Sequence, residues 1–211
     1  MNVLQLRVMT DTDARQSRRE VQRLETRQRI LDAAIAEFKR TGMADADVRD
    51  IVAAAGVAIG TFYFHFPTKE HVLEEVEGNL VVRLDSELER FLRTDRDLWA
   101  VLSEIVRLVV ASETRMGTKL FRDVLAMHFS VSRPPGYTQP VEHPLVSRLS
   151  RQIERAQANG HVHHDVEAMQ SALFFLLGLY SLLVTSHQPK AARAQLLETF
   201  VLSTRRGLEA R

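Results

Sequence analysis

None of the 211 residues is a cysteine, which excludes disulfide bonds and thiolate metal ligands and favours a reducing compartment such as the cytoplasm. No apolar run reaches the roughly 20 residues that a membrane-spanning helix needs, and the longest, 172–184, is interpreted as a buried helix. Residues 1–20 lack the apolar core of a secretory signal, so we expect none. The net charge of only +1 gives the chain as a whole little long-range attraction for nucleic acid.

Positive charge is concentrated near the start of the chain. Only Glu20 and Glu25 oppose a run of arginines at positions 15, 18, 19, 23, 27 and 29. Such an arm can lie along DNA phosphates or enter a minor groove, which makes binding salt-dependent. A solvated, partly frayed leader explains the same pattern, and the sequence leaves both interpretations open.

The stretch 47–66, DVRDIVAAAGVAIGTFYFHF, is typical of a helix-turn-helix, two short helices around a turn that contains glycine. Asp47 is suited to cap the first helix because its carboxylate can accept from free amides of the first turn. Gly56 marks the turn, and the second helix is expected over Ile59–His65, ending before Pro67. A helix this short forms only by packing on its neighbours, so we expect its outward polar groups to meet another molecule.

These residues, with the preceding run RQRILDAAIAEFKRTGM, resemble the N-terminal DNA-binding domain of TetR-family transcriptional regulators. The resemblance covers residues 25–80. The matching positions are Ile30, Leu31, Ala33, Ala34, Phe38, Gly42, Ile51, Ala55, Gly56, Val57, Gly60, Thr61, Tyr63, His65, Phe66, Lys69 and Glu70. It implies an all-α protein: a basic, partly disordered arm (1–22), a three-helix helix-turn-helix domain (23–67) and a helical ligand-binding and dimerisation domain (68–211).

The resemblance also implies that the helix Ile59–His65 enters the major groove of a double-stranded DNA operator. The candidate DNA contacts are Asp47, Val48, Arg49, Ala58, Ile59, Gly60, Thr61, Tyr63, Phe64, His65 and Lys69. Hydroxyl, imidazole and ammonium groups among them can bind phosphate oxygens. Phe62 and Phe66 are expected to pack inside the domain, whereas Phe64 can lie on either side.

Three positions depart from the family pattern. Asp47 would repel a phosphate, Ala58 supplies neither a cap nor a phosphate donor, and Ile59 offers only apolar contact, for instance with a thymine methyl. These departures keep an alternative open, a small-molecule-binding or interaction protein of the same fold with weak or lost DNA binding. A third hypothesis, an enzyme on a helical scaffold, has no catalytic motif to support it, so we expect no enzymatic activity.

After Pro67 the apolar spacing predicts only helices. We expect a fourth helix that is capped by Thr68 and reaches Phe91. Further helices are expected over 98–113, 119–131, 145–159 and 166–186, the last of these capped by Asp165, and a final helix follows Pro189 and ends at about 207. A proline-rich loop is expected over 133–144. The helix 166–186 is apolar on nearly every side, which predicts that a second chain covers part of it. The resemblance also implies a second chain, in a homodimer that forms through the last two long helices. The alternative is a monomer, because the core helices of a monomer would also be apolar.

The resemblance implies a small-molecule effector bound in the C-terminal part and coupled to the DNA-binding domain through the fourth helix. The candidate lining residues are Trp99, Leu102, Phe121, Leu125, His128, Phe129 and Phe174, with Phe91 and Tyr180 as further possibilities. Their apolar character favours a hydrophobic or aromatic ligand. His128 is either a polar anchor for it or a hydrogen-bonded core histidine.

One metal-like cluster is visible in the sequence, formed by His161, His163, His164 and Asp165. Imidazole and carboxylate groups suit zinc or nickel. Because Asp165 is explained as a helix cap, and because no spaced second group accompanies the cluster, we expect neither a metal nor a cofactor.

Overall fold

The computed structural model describes residues 3–129, 143–186 and 188–210. Its helices are α1 (Val3–Thr41), α2 (Val48–Ala55), α3 (Ile59–His65), α4 (Lys69–Phe91), α5 (Leu98–Met116), α6 (Thr118–Ala126), a 3₁₀ turn (Met127–Phe129), α7 (Pro144–Ala158), α8 (Ala168–Thr185) and α9 (Lys190–Leu208). Within the described ranges the only strand-like pairing is an isolated bridge between Val162 and Glu209. The prediction of an all-α fold is confirmed.

The chain divides into two compact units, residues 1–72 and residues 73–211. The division falls five residues after the boundary predicted at 67. Helix α1 begins at Val3, so it includes most of the segment 1–22 that the sequence assigns to a basic arm.

The first unit is built on one face of α1, which packs against α2, and α2 packs in turn against α3. Side chains from all three helices are completely removed from solvent: Ile30, Ala34, Phe38, Ile51, Phe62 and Phe66. The burial of Phe62 within α3 and of Phe66 at its C-cap stabilises this helix, which at seven residues is too short to form alone. The predicted bounds of α3 and the predicted burial of Phe62 and Phe66 are confirmed.

The second unit is a helical bundle in which α7 and α6 both pack on α8, and α5 packs on α6, α7 and α9. Gly117 and Gly160, both with positive φ, follow α5 and α7 and lie between the helices predicted over 98–113 and 119–131 and over 145–159 and 166–186. A bidentate ion pair between Arg148 on α7 and Asp85 on α4, at 2.6 and 2.7 Å, joins two further helices.

Several predicted helix ends are wrong. The N-cap position of α8 is Glu167, so Asp165 does not cap this helix but lies in the preceding turn. Helix α7 already begins at Pro144, with His143 as its N-cap, so the predicted loop is shorter at that end. The rest of the loop, 133–142, lies outside the described residues, as do the last two positions of the helix predicted over 119–131.

Helix α8 is long and apolar enough to span a membrane by composition, and a third of its residues are buried. A helix of a bundle has the same composition, and α8 packs on α6, α7 and α9. Exposed apolar side chains remain on it, notably Phe174 at 66% and Met169 at 41% exposure.

Candidate nucleic-acid interface and ligand-binding unit

Helix α3 presents apolar and aromatic groups to solvent on the side opposite its buried phenylalanines. Ile59 is 48%, Tyr63 50% and Phe64 72% exposed. The sequence left the side of Phe64 open, and the structure places it outside. Thr61 and His65 are partly buried, and Ala58 and Gly60 are exposed. Large exposed apolar groups on a rigid helix mark an interaction surface.

The start of α2 and the turn are formed as the sequence predicts. The Asp47 carboxylate accepts from the backbone N–H of Arg49 at 2.8 Å. Gly56 takes the left-handed conformation with φ of 64°, which favours glycine because it has no Cβ. Ala58 precedes α3 without a side-chain cap. The side chain of Arg49 is exposed and the Val48 side chain is partly buried.

Gly60 has no side-chain space filled by a neighbour among the residues that the structure describes. A Cβ placed on it would meet no atom within 4 Å, and its backbone needs no positive φ. The position is therefore open for close approach by another molecule.

The side chain of Lys69 forms its hydrogen bonds within the first unit. Its ammonium group donates to the carbonyl oxygens of Met43, Ala44 and Ala46 at 2.7, 3.1 and 2.9 Å. These three bonds use all three of its protons. The structure therefore gives Lys69, predicted as a phosphate contact, a different role, closing the α1–α2 connection onto the start of α4.

His65 is held by an arginine that the sequence assigned to the basic N-terminal run. Arg27 donates from Nη1 to the His65 carbonyl oxygen at 2.5 Å, and its guanidinium lies 4.0 Å from the Phe66 ring centroid. Burial, followed by the charges of Arg27 and Arg23, lowers the pKa of His65. The imidazole is therefore neutral at pH 7, so it can donate to a phosphate but adds no charge. This hydrogen bond joins two residues that are 38 positions apart in the chain, so the sequence pattern could not predict it.

The predicted ligand-binding residues differ widely in their exposure within the second unit. Leu102, Phe121 and Leu125 are fully buried, and His128 is 8% exposed. Phe129 and Phe174 are largely exposed instead. The remaining candidate, Trp99, lines a separate groove.

That groove lies between α5 and α9 and has a volume of about 560 Å³. Apolar side chains dominate its walls, with polar and charged groups among them. It is lined by Trp99, Ser103, Val106, Arg107, Val110, Ala194, Leu197, Glu198, Val201, Leu202 and Arg205. The Arg205 guanidinium lies 4.9 Å from the Trp99 ring centroid, a cation–π contact at the groove wall.

His128 lies in a buried polar cluster that the sequence did not reveal. Its Nε2 is 3.5 Å from Oε1 of Glu77, and the same oxygen is 4.0 Å from Nε2 of His143. The His128 ring meets that of Tyr180 edge to face at 4.8 Å. Burial, with a smaller contribution from the charge of His128, lowers the pKa of His143 to about 4. Glu77, His128 and His143 are far apart in the chain and carry no shared motif.

The cluster that the sequence did reveal is exposed. His163, His164 and Asp165 bring ligand-type atoms within 4.8 Å of one another on the turn before α8, and all three are open to solvent. Asp165 contacts both rings, at 3.6 and 2.9 Å.

Comparison with known proteins agrees with this architecture. The family "Bacterial regulatory proteins, tetR family" matches residues 30–76. The chain is 32% identical over 96 residues to the regulator TtgW of Pseudomonas putida. The aligned segment covers 46% of this chain and 72% of TtgW. It is 28% identical over 148 residues to the regulator YvdT of Bacillus subtilis, 69% of this chain and 74% of YvdT. Among solved structures, the TetR-family repressor FadR of Thermus thermophilus, in complex with lauroyl-CoA, superposes with a TM-score of 0.68 at 23% identity, covering 88% of this chain and 96% of FadR.

Proposed function

The chain belongs to the TetR family of transcriptional regulators, and from that premise we propose that it is a dimeric repressor that binds a pseudo-palindromic operator and is released by a small, hydrophobic ligand. The observation that carries the proposal is the outward face of α3. Ile59, Tyr63 and Phe64 are exposed on a helix whose opposite side is locked into the core by Phe62 and Phe66. A rigid helix with an unburied face is the element that DNA-binding proteins place in a major groove.

The chemistry of this face fits a groove and its flanking phosphates. The Tyr63 hydroxyl can donate to a phosphate oxygen, and the Ile59 side chain can meet a thymine methyl. Gly60 allows the DNA backbone to come close to the helix. Arg49, exposed in the first turn of α2, supplies a charge for a phosphate or a guanine edge. Lys69 is left out of this set because its protons are used within the protein.

Dimerisation is supported by α8. Met169 and Phe174 leave apolar surface on a helix that contains no charged residue. Covering such surface with the same face of a second chain removes it from water and produces two-fold symmetry. Two α3 helices about 34 Å apart then match successive major grooves of a pseudo-palindrome.

The α5–α9 groove is the best candidate site for the ligand among the described residues. Its volume lies within the range of about 300–1,000 Å³ typical of small-molecule sites, and its walls are largely apolar. FadR, which has the same fold, was solved with lauroyl-CoA, and this supports an apolar class of ligand. Helix α4 contains residues of both units, so a ligand that favours one arrangement of α4 can change DNA affinity.

A mobility-shift assay on the DNA that flanks the protein's own gene tests the proposal. We expect a retarded protein–DNA complex at low salt, and we expect this complex to dissociate when cell extract, as a source of the ligand, is added. Absence of a complex at low salt would instead favour the alternative, a ligand-binding or interaction protein of the same fold without tight DNA binding.

A further inference from the structure

Glu77, His128 and His143 bring three potential metal ligands together from three different elements. Glu77 lies on α4, His128 in the 3₁₀ turn and His143 at the N-cap of α7. Their ligand atoms lie within 4.8 Å of one another. The side chains are 14%, 6% and 9% exposed, so the cluster is almost closed to bulk water.

The chemical types of the side chains in the cluster suit a transition metal. Two imidazoles and a carboxylate are a ligand set that divalent zinc, nickel and iron accept.

We propose that Glu77, His128 and His143 bind one divalent first-row transition metal ion, with Zn²⁺ and Ni²⁺ as the best probes. Ligand atoms around a tetrahedral ion with bonds near 2.0 Å are roughly 3.3 Å apart. The 3.5 and 4.0 Å separations measured from the Glu77 oxygen therefore need to close by less than 1 Å. Three protein ligands leave a coordination position for water or for an incoming molecule that donates an electron pair.

Metal binding competes with the cap of α7. The Nδ1 atom of His143 accepts from the backbone N–H of Leu145 at 3.2 Å, so in the neutral ring Nε2 carries the proton. This Nε2 is buried and has no hydrogen-bond partner among the described residues. For Nε2 of the neutral ring to coordinate an ion, its proton must move to Nδ1, which then no longer accepts from Leu145. Binding would thus loosen the first turn of α7, which packs on α8.

The exposed cluster of His163, His164 and Asp165 supplies the matched control. It contains the same ligand types in similar proximity but is open to solvent. An adventitious ion bound by surface histidines would require this turn, whereas the proposed ion requires the buried cluster.

The test is a titration of chelator-treated full-length protein with Zn²⁺, followed by calorimetry, and with Co²⁺, followed by visible absorption. One ion per chain is expected. His143→Asn should weaken binding by more than about tenfold while keeping an N-cap residue, and Glu77→Gln should do the same. The double variant His163→Ala/His164→Ala should bind like the wild type. Unchanged binding in both buried-cluster variants, or loss only in the double variant, would overturn the proposal.

Hydrogen exchange tests the coupling to α7. The amide of Leu145 should exchange faster after Zn²⁺ addition, and an unchanged rate would overturn the loss of the cap. Both measurements are made without DNA, so their outcome is independent of the proposed repressor function.

Discussion

The ammonium group of Lys69 donates a 2.7 Å hydrogen bond to the carbonyl oxygen of Met43, across 26 residues of chain. Together with the bonds to Ala44 and Ala46, this contact gives Lys69 a structural role: it holds the α1–α2 connection and does not offer its charge to DNA. The distinction between these two roles can be measured.

Replacing Lys69 by Met should destabilise the protein by about 1–3 kcal/mol, because hydrogen bonds from a charged donor contribute more than neutral ones and three are lost. Chemical denaturation measures the change in unfolding free energy. Lys39→Met, at an exposed position on α1, is the control and should leave stability almost unchanged. A stable Lys69 variant with only weakened DNA binding would show that Lys69 is a phosphate contact instead.

Gly60→Ala should separate folding from DNA recognition. A Cβ here meets no atom of the described residues within 4 Å, so stability should stay the same or rise by up to about 1 kcal/mol. DNA affinity should fall by about tenfold, equivalent to about 1.4 kcal/mol, because the methyl group occupies space that we assign to the DNA backbone. Fluorescence anisotropy with labelled operator measures this change.

The control for Gly60 is Gly78→Ala on α4, where a Cβ also meets open space. It should match the stability effect and leave DNA affinity unchanged. Equal DNA affinities for the two variants would remove Gly60 from the proposed interface.

Phe174→Glu should convert the proposed dimer into monomers. A charge on an apolar face that is buried between two chains is costly, so self-association should weaken by more than about tenfold. Analytical ultracentrifugation measures the change. Val82→Glu on α4 removes an apolar side chain of similar exposure, 67% against 66%, and should leave the assembly intact. If the wild type itself sediments as a monomer, the dimer is excluded.

The imidazole of His65 should titrate below pH 6.5 in the free protein, because burial and the charges of Arg27 and Arg23 lower its pKa. Since the unfolded chain then takes up this proton first, its contribution to stability is complete above pH 6.5 and decreases as the pH falls through the folded-state pKa. NMR titration of the ring protons measures the pKa. A value at or above 6.5 would contradict the environment described here.

Local sequence signals were sufficient to predict the bounds of α3 but not the contacts of the side chains around it. A turn glycine, a capping aspartate and a proline determine where the two short helices begin and end, and each acts over a few residues. The partners of Lys69 and His65 lie 23 to 38 residues away, so only the packed unit could identify them.

The second unit was less predictable for a related physical reason. Phe129 and Phe174 belong to apolar helical patterns, and such a pattern does not distinguish a residue facing a core from one facing a second chain. Glu77, His128 and His143 come from three elements, and only the packing of these elements reveals the cluster.

DNase I footprinting on DNA that flanks the protein's own gene tests the central claim most directly. The account predicts a protected, two-fold symmetric stretch spanning two successive major grooves at low salt, with affinity that falls steeply as salt is raised. It also predicts that Gly60→Ala needs about tenfold more protein than Gly78→Ala for the same protection. Absence of any protected stretch at low salt would contradict it.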